Sequence, residues 1–432
     1  MTPNQRTILW IYAGIIAIWP IRHIVVGWAI RQLDILTPRS PRYHGESFPL
    51  VSAIIPAKDE EKTLADCLAS VCAQEYPNLE IIVVNDRSTD RTAAIAQEFA
   101  DRDPRVRVLT IDNLPAGWTG KTHALQTAAE QARGEWFWFL DADTRHTPEN
   151  LPIVLEYARR TGAALASLLP EMRCESFWEN VVQPLAGVML VQSFPLFLVN
   201  NDRSKKAFAN GQYILVQRSA YFAAGGHHAV RDRFVEDIGM AYRVKQLGLP
   251  IRVAIAHGIG STRMYASLGQ LVRGWSRILY DALDRNPWRL LARLLDPLIF
   301  SQTGEVILAV SLFLLASTGP SPFALWLLGL CIVHHVLSYT LLHRLYVLSV
   351  PRTRYTAWFP VANLVMDWVL LRALRSCLTG QVTWRGTAYG RSLSATSPAH
   401  PEVAPVEASV NLERLTHALR TPWTERPPPA PP

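Results

Sequence analysis

Apolar residues fall along this chain in two arrangements. Through the middle they form short runs: "LVSAII" (50–55), "LEIIVV" (79–84), "RVRVLT" (105–110) and "EWFWFL" (135–140). These runs are rich in β-branched and aromatic residues, which predicts buried strands. Between them, "EKTLADCLASVCAQ", "DRTAAIAQEFA" and "KTHALQTAAEQA" repeat small apolar residues at helical spacing. Strand and helix alternate with short connections from about 48 to 282. The pattern predicts an α/β domain with a mainly parallel sheet covered on both faces.

Towards the ends the apolar runs are far longer. "TILWIYAGIIAIWPIRHIVVGWAI" (7–30) is long enough to cross hydrocarbon. No small-residue cleavage site follows it, so a transmembrane anchor is expected rather than a cleaved leader. Arg22 and His23 interrupt it and call for tilt or snorkelling. Two further runs within 298–342, separated by "GPSP", predict an antiparallel transmembrane hairpin. Its Glu305, His334 and His335 fit contact with a lipid substrate, or hydrogen bonds between helices. A run at 355–374, holding Pro360 and Asp367, either spans or re-enters.

Two more segments are apolar but interrupted. "FWENVVQPLAGVMLVQSFPLFLV" (177–199) is broken by Glu179, Gln183, Pro184 and Pro195, and reads as interfacial or acceptor-lining. At 267–283 a stripe of Leu268, Leu271, Val272, Trp275, Ile278, Leu279 and Leu283 has Arg273 and Arg277 to its side. That predicts an interfacial amphipathic helix, with core packing as the competing reading. From 392 to 432 the chain turns to Ala, Pro, Ser and Glu, which predicts a disordered tail.

Composition sharpens the membrane reading. Hydrophobic residues make up 49% and charged residues only 18%, low for a soluble enzyme. The net charge of +7 fits nucleic acid, anionic lipid or an anionic substrate. The arginines are scattered beside apolar segments and form no basic tract, which argues against nucleic acid and for a membrane surface. Arg31, Arg39 and Arg42 follow the first apolar run; Arg344, Arg352 and Arg354 precede the last. By the positive-inside rule both regions face the cytoplasm, which predicts a multi-pass inner-membrane protein with a cytoplasmic middle domain. The five cysteines include no C-x-x-C pair and read as reduced thiols.

Candidate chemistry sits at the strand ends. After the first, second and fourth strands come "PAKDEE" (56–61), "NDRSTD" (85–90) and "DADT" (141–144). Open α/β sheets bind ligands at these ends, and there the chain gathers Asp59, Glu60, Asp86, Asp141 and Asp143. Five acids on one rim repel unless they serve a cation or a donor-rich ligand. Asp90 reads as a helix cap. "GWTGKTHAL" (117–125) contains G-K-T but lacks the earlier glycine of a P-loop. Lys121 at that helix start either meets a nucleotide or phosphate or is an exposed helix lysine. Asp141 and Asp143 alone admit two chemistries: a metal clamp for a nucleotide diphosphate, or the nucleophile of a D-x-D-x-T phosphatase of the haloacid-dehalogenase type. The phosphatase needs a later lysine and acidic pair that "VEDIG" does not supply, and gives Asp59 and Asp86 no use. Thr144 is then incidental.

Taken together, "SAIIPAKDEEKTLADCLASVCAQEYPNLEIIVVNDRSTDRT", "DADT" and "FVEDIGMAYRVKQLG" resemble family 2 glycosyltransferases of GT-A fold over roughly 50–280. "LPAGWTGKTHAL" and "MRCESFWE" resemble the membrane-bound subset that includes hopanoid-associated, carotenoid and ceramide glycosyltransferases. The resemblance implies that Pro56, Ala57, Asp59 and Asp86 surround the base and ribose of a nucleotide sugar, with a UDP-sugar expected. It implies that Asp143, with Asp141, serves the metal and diphosphate, and that Asp237 is the catalytic base. Gln270, Arg273 and Trp275 resemble a Q-x-x-R-W element that holds diphosphate and acceptor, although here Gly274 separates Arg from Trp. "GQYILVQRSAYFAAGG" (211–226) resembles the acceptor-side strand and helix.

The chemistry fits those roles. A diphosphate leaving group gathers charge that Mg2+ or Mn2+ on oxygen ligands can neutralise. Arg273 can add a bidentate phosphate contact. An acceptor hydroxyl needs a carboxylate to take its proton, and attack opposite the leaving group inverts the anomeric centre. The expectation is a membrane-bound, metal-dependent inverting glycosyltransferase with a lipid acceptor. Its expected GT-A domain runs 48–285, and membrane segments flank it. A processive polysaccharide synthase and a non-catalytic membrane scaffold are the competing readings.

Overall fold

The computed structural model describes residues 1–349, 352–379, 382–384 and 387–389. The expected tail at 392–432 lies outside the described residues. The chain divides into two compact units.

One unit comprises Leu33–Glu171 and Phe194–Met264. In chain order the strands are β1 (Asp34–Leu36), β2 (Val51–Ala57), β3 (Leu79–Asp86), β4 (Val106–Ile111), β5 (Trp136–Leu140), β6 (Thr144–His146), β7 (Leu165–Leu169), β8 (Glu171–Met172), β9 (Tyr213–Gln217), β10 (Ile251–Ala256) and β11 (Gly260–Thr262). Eight of them form one sheet in the order β1-β10-β7-β9-β5-β2-β3-β4. The four predicted strands are β2 to β5, and β2 lies between β3 and β5 with parallel pairing to both. Only β9 runs antiparallel within this sheet, between β5 and β7. The expectation of a mainly parallel sheet holds. β2, β3 and β5 are buried almost throughout, as continuous apolar runs require when both faces are covered. Trp138, His146 and Tyr213 pack their rings together behind the end of β5.

Helices Leu64–Cys72, Thr92–Arg102 and Gly120–Gln131 follow β2, β3 and β4 as the apolar spacing predicts. Two of the three start where a polar side chain satisfies an unpaired N–H. Asp90 accepts from Thr92 N at 2.9 Å, the cap expected of it, and Thr119 accepts from Thr122 N at 3.2 Å. Helix Asn150–Thr161 stops at Gly162, whose φ of 65° is a left-handed terminus that glycine adopts without Cβ strain.

The other unit comprises Met1–Gln32, Met172–Ser193 and Tyr265–Ala388. Five of its segments, one of them continuing to Val199, are long and apolar enough to cross a membrane: Pro3–Ile30, Phe177–Val199, Pro287–Thr318, Pro322–Leu348 and Thr353–Thr379. The first is two helices, Pro3–Ile16 and Ile18–Ile30, broken at Ala17. The break puts Pro20 in a first turn, where its missing N–H is tolerated. Arg22 does not need to snorkel, since it pairs with Asp296 at 2.5 Å and lies over the Phe300 ring. The predicted hairpin forms from Gln302–Thr318 and Pro322–Ser349. Its polar residues bond between helices. His334 meets the Tyr12 hydroxyl at 3.0 Å and the Phe300 carbonyl at 2.8 Å, and His335 faces Glu305 at 3.4 Å. In the last segment Pro360 sits in the first turn of helix Phe359–Thr379.

Helix Leu268–Ala282 corrects one expectation. It groups with the apolar helices, outside the unit that holds the sheet. Its stripe is packed rather than interfacial, because Leu271, Val272, Trp275 and Leu279 share a core with Val181, Leu185, Met366 and Val369. Ser276 Oγ donates to the Val369 carbonyl at 3.1 Å, and the Trp275 indole donates to Gln183 Oε1 at 2.9 Å. Gln183, which interrupts the 177–199 run in sequence, is therefore the acceptor for a buried tryptophan.

At the other end of the strands, Gly134 N donates to Ser52 Oγ at 2.8 Å, and a Cβ at 134 would collide with Ser52 and with the Trp136 carbonyl. Overpacking of this kind costs about 1–3 kcal/mol. Gly134→Ala should lower the melting temperature of the intact chain in detergent by roughly 2–12 °C, at about 2–4 °C for a kcal/mol in a unit of this size. An unchanged melting curve would show that the strand ends have room this structure denies them.

Candidate active site

The first group of acids belongs to the β2 and β3 ends. β2 closes with Pro56 and the buried Ala57. The two loops beyond are laced together: Asp59 N donates to Ser88 Oγ, Thr89 N donates to Asp59 Oδ1 at 2.8 Å, and Glu61 N donates to Asp90 Oδ2. Asp59 and Arg87 both hold left-handed backbones, with φ of 53° and 54°. Such conformations cost a non-glycine residue of order 1–3 kcal/mol and persist only where the surroundings impose them. Here the lacing imposes them. Asp86 is buried, and its carboxylate receives Arg87 Nε at 2.7 Å and Nη2 at 3.0 Å. Both acids expected around base and ribose are thus already bonded within this pair of loops.

The segment "GWTGK" acquires a reason for each residue after its first glycine. Trp118 sets its ring edge-to-face with His123 and His228. Thr119 caps the helix, and its N–H donates to the Arg231 carbonyl at 2.9 Å. Gly120 lies so close to Asp86 that a Cβ would strike the carboxylate. Lys121 turns into the acids.

Those acids are Asp141, beyond β5, and Glu236, at the start of helix Glu236–Gln246. The Lys121 ammonium lies 2.7 Å from Asp141 Oδ1 and 2.7 Å from Glu236 Oε1. Burial opposes its charge, but Asp141, Glu236 and Asp237 outweigh burial and hold it above the usual lysine range. Asp237 accepts from Gly211 N at 2.6 Å and from Ile238 N at 2.8 Å. Burial first, then the neighbouring Glu236, push its carboxyl up to about 7, against the opposing pull of Lys121 and the two backbone donors. Gly211 lets the chain pass close over this cluster: a Cβ there would stand 3.0 Å from Lys121 Nζ and 3.1 Å from Asp237 Oδ2.

Thr144 is not incidental. It is fully buried, and its Oγ1 donates to the Asp141 carbonyl at 2.8 Å, pinning the turn that carries Asp141 and Asp143. His146 Nε2 lies 3.1 Å from the same oxygen. Burial drives the His146 pKa down to about 3, so the ring is neutral and donates there. Behind the turn, Cys67 Sγ lies 3.7 Å from the Asp141 carbonyl. Burial pushes this thiol up to about 12, which keeps it protonated. Sequence reasoning missed Thr144, Gly211 and Glu236 as site residues. Only Glu236 left a signal, its place beside Asp237 in "VED".

The remaining expected residues lie in the helical unit. Gln270 Oε1 accepts from Ala266 N at 3.0 Å, and its own N–H donates to Ser267 Oγ, so it serves the helix start. Trp275 is 3% exposed with its indole N–H already donated, which makes it a packing residue and leaves it no polar atom for a nucleotide sugar. Gly274 exists because the Tyr265 ring lies against it, where a Cβ would collide. Arg273 is exposed on its helix.

The donor set fits a hard cation. Among the described residues no group of three or more His, Cys, Asp or Glu side chains could hold a metal. Asp141 and Asp143 offer carboxylate oxygens on a pinned turn. One or two carboxylates completed by substrate phosphates is the way Mg2+ is commonly held.

Residues 52–234 match the family model for Glycosyl transferase family 2. The chain carries a family 2 glycosyl transferase domain. It is 27% identical over 259 residues to a 4,4'-diaponeurosporenoate glycosyltransferase of Staphylococcus haemolyticus (strain JCSC1435), covering 59% of this chain and 68% of that one. It is 27% identical over 232 residues to the protein of that name from Staphylococcus aureus (strain MRSA252), covering 53% of this chain and 60% of that one. The chain therefore spans less than two thirds of the second relative. A mannosyltransferase from Pyrobaculum calidifontis, solved in complex with GDP-Man and Mn2+, superposes with a TM-score of 0.54 at 17% identity, covering 86% of this chain and 98% of that chain. At that identity the likeness concerns the fold, which is GT-A-like.

The pinned turn of the transferase domain generates a test. Thr144→Val removes the hydroxyl that Asp141 and His146 share, and an unmade buried hydrogen bond costs about 1–3 kcal/mol. The variant should melt earlier and bind uridine diphosphate with Mn2+ more weakly in calorimetry, while Thr144→Ser retains both properties. Equal binding by the valine variant would mean that the turn holds its shape without Thr144.

Proposed function

We propose that the transferase domain moves a sugar from a nucleoside diphosphate, with UDP expected, to a hydroxyl oxygen of a lipid, inverting the anomeric centre. The observation that carries this reading is Asp237, a carboxyl pushed up to about 7 and aimed by two backbone N–H groups. A general base works best with a pKa near the operating pH. Asp237 takes the acceptor proton. The acceptor oxygen attacks the anomeric carbon as the bond to the diphosphate breaks, and the diphosphate leaves with the electron pair.

Asp143, with Asp141, would hold Mg2+ or Mn2+, which when bound neutralises the charge that gathers on the leaving group. Lys121 keeps Asp141 and Glu236 in place on either side of its ammonium. Pro56, Ala57, Asp59 and Asp86 form the proposed nucleoside end.

Support for a lipid acceptor comes from five segments of membrane-spanning length among the described residues, and from relatives whose names specify diaponeurosporenoate. The arginines flanking the first and last segments favour a cytoplasmic transferase domain in the inner membrane.

Membranes carrying the chain, incubated with labelled nucleotide sugars, should put label into the lipid extract. A chelator should abolish the transfer, and Mg2+ or Mn2+ should restore it. Equal activity on a water-soluble acceptor after deletion of the apolar segments would sink the lipid reading.

Asp237→Asn should lower turnover by about 10²–10⁴-fold, the range typical of a lost general base, with donor binding retained. Because Asp237 acts as its carboxylate and its pKa is raised, turnover should rise with pH through about 7 and fall away below it. A pH profile flat from 5 to 8, roughly the interval that brackets a base of this kind, would remove Asp237 from that role.

A further inference from the structure

Lys121 has an unusual place for a cation in a site that calls for a metal. Its ammonium is 2.7 Å from Asp141 Oδ1, one of the two carboxylates of the D-x-D turn, and 2.7 Å from Glu236 Oε1, which is 4% exposed. The close passage of Gly211 over Lys121, Glu236 and Asp237 leaves no room for a Cβ to displace the lysine without a shift. Thr119, Thr122 and Trp118 fix the helix start that carries it, through bonds and ring contacts to His228 and Arg231. The ammonium is therefore built in, and it already neutralises one carboxylate of the pair.

We propose that Lys121 is a resident counter-cation that keeps divalent metal off the D-x-D turn until a diphosphate arrives. This rests on the reading that Asp141 and Asp143 hold the metal. A divalent ion approaching Asp141 meets a positive charge already hydrogen-bonded to the same carboxylate, and like charges at that range repel strongly in a partly buried site. The phosphates of the donor add the negative charge that reverses the balance. Metal and nucleotide then enter together, and the empty site does not collect metal on its own. Lys121 is in this account a positioning residue for the ion. It acts by charge and geometry, and it takes no part in bond making.

The test is Mn2+ binding followed by electron paramagnetic resonance on the intact chain in detergent, with and without uridine diphosphate. Wild type should bind Mn2+ weakly alone and much more tightly with the nucleotide. Lys121→Met should bind Mn2+ without nucleotide at least roughly tenfold more tightly, a change that corresponds to only about 1.4 kcal/mol. Lys121→Arg, which keeps the charge, should behave like wild type. Glu236→Gln should also leave nucleotide-free binding weak, because the ammonium stays on Asp141. If the methionine variant does not fold, Lys121→Gln removes the same charge with a polar head.

Nucleotide-free affinity that is unchanged or weaker after charge removal overturns the proposal, provided Asp143→Asn still abolishes Mn2+ binding. If Asp143→Asn leaves Mn2+ binding intact in every state, the ion is not held at this turn, and the metal reading falls together with the proposal.

Discussion

The contact on which the transferase domain's chemistry depends is the Lys121 ammonium held between Asp141 and Glu236. Asp141 comes from the end of β5, Glu236 from a helix nearly a hundred residues later. Without a cation between them, these carboxylates and Asp237 would be buried or half-buried like charges, costly to keep ionised together. With it, the cluster is held together, and Asp237 keeps a pKa raised by burial and Glu236 but moderated by Lys121. The proton affinity of Asp237 is thus set by a salt-bridge network, and that network requires the glycine at 211 and the helix start at 120.

The strand-end loops show a related economy. Asp59 and Arg87 adopt left-handed backbones that few non-glycine residues accept, and side-chain-to-backbone hydrogen bonds between the two loops hold them there. This arrangement gives the loops a definite shape before any ligand is present. The two loops are preorganised in this sense, and their Asp59 and Asp86 are occupied as hydrogen-bond acceptors rather than clustered as bare charge.

In the helical unit the polar residues that interrupt the apolar runs find partners within the unit. Arg22 meets Asp296, His334 joins Tyr12 to the Phe300 carbonyl, and Trp275 uses Gln183. Groups of this kind are expensive in hydrocarbon and are expected to pair. Their pairing explains how polar residues are accommodated within largely apolar helices.

Much of this protein was legible in the order of its residues. Continuous β-branched and aromatic runs separated by helical spacing dictate a parallel sheet, because both faces of each strand must be buried. The D-x-D pair, "NDRSTD" and "VED" mark strand ends and a helix start, since acids in those places have no packing reason to exist. The length of the terminal apolar runs alone makes them able to cross a membrane. What tertiary structure decided was every role that depends on a partner distant in sequence. Lys121 looked like a phosphate contact or a surface lysine, and is a bridge between two acids. Thr144 looked incidental, and pins the turn through a carbonyl and a histidine. Trp275 looked like part of a binding element, and is buried on Gln183. The stripe of helix Leu268–Ala282 looked interfacial, because amphipathic spacing reports only that one face is apolar. Whether lipid or other helices cover that face depends on which side chains the fold brings opposite it, and no local pattern encodes that.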